Sequence, residues 1–212
     1  MNTIQIQQFK QWRSKRMRRT FIAAWLLILC VAALAFFALQ LWHPSARQVM
    51  LPLRRALSGI KPVSGIKLWG QIAWHNELAV LIVLALGLIP VPLLYWYNAV
   101  ATAASIGMVI YVGAIAHQNI WLLIATGLLP HGIIELSCFA ITLGIAGELN
   151  YYIRSRTHNM RNQKDDWVGQ LPLRPFLYAL FRQYLFIVLP GLIIAGFIEA
   201  LITPKLMHLV GI

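Results

Sequence analysis

The chain has 212 residues, of which 59% are hydrophobic and only 11% charged, whereas soluble domains carry about 25% charged residues. A globule of this size cannot bury so much apolar surface, which excludes a disordered chain and an ordinary water-soluble enzyme. Eighteen Lys and Arg against six Asp and Glu leave a net charge of +12. With no Cys/His finger spacing and no aromatic ribonucleoprotein signature, that excess points to anionic lipid headgroups and away from nucleic acid.

Residues 1–20 are polar and basic and read as a cytoplasmic N-terminal segment. The apolar run 21–42 follows as a first transmembrane helix, since roughly 20 apolar residues cross a bilayer. It is longer than a signal-peptide core and lacks a small-x-small cleavage site, so a retained anchor is expected. Trp25 and Trp42 suit the two headgroup belts. Residues 43–77 read as an extracytoplasmic loop in which Pro44, Pro52 and Pro62 forbid one straight helix. Ser-Gly-Ile-Lys occurs at Ser58 and Ser64, and Leu-Pro-Leu-Arg at Leu51 and Leu171; both pairs are short enough to be chance. His75, Asn76 and Glu77, flanked by Trp69 and Trp74, read as an interfacial helix start capped by Asn76, or as a polar contact surface for a partner.

Residues 78–149 hold spans two to four. The second, Leu78 to Tyr97, is kinked or ended by Pro90 and Pro92, with Tyr95, Trp96 and Tyr97 as an interfacial belt. Asn98 precedes the third, Ala99 to Ala116, where Ala99, Ala103 and Gly107 make a small-residue stripe for close helix approach. Gly144 and Gly147 are expected to serve packing in the fourth. After the polar break His117-Gln118-Asn119, the run 120–149 is too long for one simple span and too short for two. Pro130-His131-Gly132 predicts a broken element: a half-span or re-entrant piece over 120–129, then a helix over 133–149. Irregular backbone at that depth persists only when packed in protein or lining a wet cavity.

Residues 150–183 form a basic cytoplasmic loop, whose end, Pro175 to Gln183, suits a short interfacial helix. Residues 184–212 supply the last transmembrane helix, ended by Thr203-Pro204-Lys205, and a short outer tail. The predicted fold is therefore an all-α polytopic transmembrane helical bundle of about five spans with a broken or re-entrant fourth element. With the N-terminus inside, twelve Lys and Arg fall in inner segments and six in outer ones, which favours a cytoplasmic N-terminus and an extracytoplasmic C-terminus.

Ionisable side chains within apolar runs need a reason. Glu135 follows His131 by four residues and shares its helix face. Three readings compete: a buried hydrogen-bonded pair bracing the break, which is favoured; a proton- or ion-handling site; and metal or hydrolytic residues joined by Glu199. Glu148 suits an interfacial carboxylate paired with the basic loop. Cys30 and Cys138 read as small buried hydrophobes without a disulfide. The chain has no His-Glu-x-x-His, no Gly-x-Ser-x-Gly and no paired acidic motif, so no catalytic residue, cofactor or metal is expected.

The stretch Leu129-Pro130-His131-Gly132-Ile133-Ile134-Glu135-Leu136 resembles the hallmark of the stage II sporulation protein M family, in which Pro-His-Gly-x-x-Glu precedes a Gly-rich apolar segment, here with Gly144 and Gly147. His75-Asn76 and Asn98-Ala99 match in part the Asn-containing positions around the family's earlier span. The resemblance covers roughly 70–150. It implies a bacterial multi-pass protein of the cytoplasmic membrane with about five spans and no named catalytic residues. The family's namesake holds a peptidoglycan-degrading pair together during engulfment, and many relatives occur in organisms that form no spores. The expected function is a non-enzymatic membrane scaffold or complex subunit, with envelope remodelling as its setting. A transporter or channel component and an intramembrane metal-dependent hydrolase are the alternatives. Expected partners are a bilayer with anionic lipids and other membrane or envelope proteins, with homo-oligomerisation open.

Overall fold

The computed structural model describes residues 3–56, 63–162 and 166–211, with side chains over 7–51, 63–160 and 166–211. Among them there is no strand, and five helices are long and apolar enough to cross a membrane. The first copy of Ser-Gly-Ile-Lys, at Ser58, and Pro62 lie outside the described residues.

The first helix, α1 (Thr3–Trp42), absorbs the basic N-terminal segment and the first span in one rod. At 1.5 Å per residue it is about 60 Å long, twice the roughly 30 Å hydrocarbon thickness, which is enough to cross and still carry the basic residues beyond the lipid. The expected loop 43–77 is largely helical. It contains α2 (Ala46–Ala56), and its last third is already the second span, α3 (Ile66–Leu88). That span starts earlier than the apolar run because its polar residues point inward: Asn76 is buried in mid-helix and caps nothing. Pro90 and Pro92 do end α3. A 3-10 turn, Leu94–Trp96, then leads into α4 (Tyr97–Ile115). Asn150 donates to the carbonyls of Ile89 at 2.5 Å and Val91 at 3.3 Å, tying the proline-bearing turn to a later helix.

The fourth crossing is continuous, a correction to the expected break. It comprises α5 (Ile120–Leu122), a π-helical stretch π1 (Leu123–Leu128) and α6 (Leu129–Asn162). Asn119 caps its start by accepting from the N–H groups of Trp121 and Leu122. The fifth crossing is likewise one rod: α7 (Leu173–Gln183), π2 (Tyr184–Val188), α8 (Leu189–Phe197), π3 (Ile198–Ile202) and α9 (Thr203–Leu209). It takes in the expected interfacial helix and runs past Thr203-Pro204-Lys205.

Each π stretch ends two residues before a proline: Pro130, Pro190 and Pro204. A proline inside a helix lacks an N–H and crowds the carbonyl one turn back. Widening the preceding turn relieves that clash without breaking the rod. Pro130 therefore changes the pitch of the fourth crossing and does not end it.

Small residues set the close contacts. A Cβ on Gly107 would meet the Ala32 carbonyl and lie 2.8 Å from Ala35 Cβ; one on Gly144 would strike Met17; one on Gly147 would lie 2.9 Å from Tyr95 Oη. Ala99 and Ala103 are buried on the same stripe as Gly107. Tyr95 is thus a core residue, and Trp25 also packs against the core. Asn98, in the first turn of α4, donates to the Ala79 carbonyl of α3 at 3.5 Å. Cys138 is buried, whereas Cys30 is exposed on α1, contrary to the expected burial; both are free.

Candidate functional site

Two polar regions lie at opposite ends of the bundle. At the end where α1 begins, Glu148 is fully buried and accepts from Arg13 Nε at 2.6 Å, while Arg13 also donates to Gln183 at 2.7 Å. The partner of Glu148 therefore comes from the N-terminal helix and not from the loop after α6. Arg16 donates to the Gly147 carbonyl and lies over the Tyr151 ring at 4.7 Å. Beyond α6, Asp166 accepts from Ser155 Oγ at 2.6 Å, Tyr151 Oη at 2.9 Å and the Val168 N–H at 3.1 Å. Burial opposes ionisation of this carboxyl, but the bonds from Ser155, Val168 and Tyr151 outweigh it and hold the group below the usual aspartate range. Sequence reasoning gave Asp166 no part. Its signal was weak: two adjacent aspartates in a basic segment.

Toward the other end, His131 and Glu135 of α6 converge with Glu199 of π3, and their ligand atoms all lie within 4.8 Å of one another. His131 is 9% exposed, and its Nδ1 lies 3.3 Å from Thr203 Oγ1 of α9. The favoured hydrogen-bonded pair bracing a break is thus corrected: His131 lies beside Thr203, and the pair meets Glu199, the residue that the metal or hydrolytic reading joined to it. The two widened turns assemble the cluster: π1 directly precedes α6, and π3 carries Glu199 and ends just before Thr203. Helix segments of this kind occur frequently at functional sites. No hydrogen bond reaches Glu135 or Glu199 from any described residue, and no described Lys or Arg pairs with either.

His131, Gly132 and Glu135 line a groove of about 600 Å³ between α1, α4 and the fourth crossing, whose other walls are apolar, including Ile28, Phe36 and Ile106. Gly132 has nothing within 4 Å of where its Cβ would stand. It keeps the groove open and is not needed for packing. Asn76 and Glu77, expected at a span's start, lie elsewhere in the interior: Glu77 accepts from Tyr184 Oη at 2.6 Å, and Asn76 Nδ2 has no partner. All four glutamates of the chain, at 77, 135, 148 and 199, fall within candidate membrane spans.

An imidazole and two carboxylates can share protons or hold a cation, and the fold defines a multi-pass α-helical membrane protein with such a cluster inside. The family model of stage II sporulation protein M matches residues 22–204. The chain belongs to that family, and the match extends well beyond the 70–150 core that carried the sequence resemblance. No curated protein and no solved structure matches it.

Proposed function

We propose that this protein is a non-enzymatic subunit of a membrane-protein complex in the bacterial cytoplasmic membrane, acting with envelope-remodelling partners. Family membership across residues 22–204 carries the reading. In this reading the N-terminus is cytoplasmic and the C-terminus extracytoplasmic, as the basic residues favour. Small-residue seams hold the bundle as a rigid platform, and basic side chains at its inner end bind anionic headgroups. Crosslinking in native membranes followed by affinity purification should recover other envelope proteins in near-equal amounts. Recovery of this chain alone would contradict the reading. A reporter active only outside the membrane should work when fused after residue 211 and fail when fused at the N-terminus.

Ion or proton transport is the second reading, favoured by one observation: all four glutamates fall in helices long and apolar enough to cross a membrane. Intramembrane carboxylates often mark ion paths. Proteoliposome flux abolished by Glu135→Gln would promote it above the first.

A further inference from the structure

We propose that His131, Glu135 and Glu199 form a binding site for one divalent transition-metal ion, with zinc as the fitting example. This inference is independent of the complex-subunit reading.

Two carboxyl groups held within 4.8 Å inside a span, with no cation or hydrogen-bond donor reaching them from the described residues, cannot both ionise there without compensation. A bound dication supplies it. The donor set is one imidazole nitrogen and two carboxylate oxygens. That suits zinc or a neighbouring first-row ion better than calcium, which takes six to eight oxygens. Ligands about 2.1 Å from a tetrahedral zinc lie roughly 3.4 Å apart, so side-chain rotations of about an ångström close the set around an ion. Thr203 can accept from Nδ1–H of His131, leaving the Nε2 lone pair free, as histidine ligands are commonly held.

The ligands also come from rods with a fixed register. His131 and Glu135 are one turn apart on α6, and Glu199 sits on the turn that widens ahead of Pro204. Three protein ligands leave a fourth tetrahedral position open. His131 and Glu135 both line the apolar groove, so that position faces it. The ion reaches the site from the groove, and water or an oxygen ligand entering from the groove completes its shell.

The test uses the full-length protein in detergent, stripped by chelator and titrated with zinc, with cobalt as an optical probe. Wild type should bind one ion per chain, gain thermal stability with added zinc, and give the visible cobalt bands of a four-coordinate site. Glu135→Gln, Glu199→Gln and His131→Asn should each weaken binding at least tenfold and remove the zinc-dependent stabilisation. His117→Asn, at the turn between α4 and α5, should change neither. Metal-free unfolding curves confirm that each variant is folded. Folded wild type that takes up no zinc would overturn the proposal. So would equal affinity in the Glu135→Gln/Glu199→Gln double variant, which would assign the ion to surface histidines.

Discussion

The two ends of this bundle treat buried charge in opposite ways. At the end where α1 begins, every described carboxylate has a donor: Glu148 has Arg13, and Asp166 has Ser155, Tyr151 and the Val168 amide. At the His131 cluster, Glu135 and Glu199 face each other and an imidazole with no cation beside them among the described residues. Paired charge of the first kind holds helices in place. Unpaired charge of the second kind works against stability unless a ligand joins it. The contrast separates a structural lock from a site within one fold.

Breaking the lock should give the largest effect. Arg13→Ala leaves Glu148 buried without its cation, and such removals cost about 3–5 kcal/mol. A sharp drop in unfolding midpoint in detergent is expected, partly restored by adding Glu148→Gln. Next comes the seam between α1 and α4. Gly107→Ala pushes a methyl into the Ala32 carbonyl and Ala35, and overpacking of this kind costs about 1–3 kcal/mol. Chemical denaturation should show that loss, while Gly132→Ala, with open space around it, should cost nothing and gain up to about 1 kcal/mol from alanine's better helix propensity.

Asp166 tests the lock beyond the membrane. Its folded pKa is depressed, so its contribution is complete above the ordinary aspartate value of about 3.9 and is lost as pH falls through the lower folded value. Asp166→Asn should cost about 1–2 kcal/mol at pH 7, the scale of hydrogen bonds to a charged group. That difference from wild type should shrink below about pH 4. A difference that stays constant down to pH 2 would mean that the Asp166 charge contributes nothing.

Much of this arrangement was legible in the residues. Apolar runs located five crossings, and the Ala99–Ala103–Gly107 stripe marked a true contact seam. Pro130 correctly flagged a disturbance, but its consequence depended on whether the turn before it could widen, which no local pattern states. The start of α3 was misplaced because Asn76 and Glu77 looked like interface residues; only packing against other helices shows that they point inward. His131 and Glu135 were visible as a pair four residues apart. Their meeting with Glu199 is tertiary, and its faint signal was an acidic residue in an apolar run just ahead of Thr203-Pro204. Arg13 as the partner of Glu148 was hidden by a sequence separation of 135.

The smallest expected stability change is the most informative. Replacing both Glu135 and Glu199 by Gln removes two facing carboxylates that no described cation offsets. Metal-free thermal unfolding of that double variant, beside wild type and Arg13→Ala, tests the division between lock and site directly. A midpoint at or slightly above wild type is the predicted result. A fall as deep as that of Arg13→Ala would show that the His131 cluster braces the helices and would contradict the account.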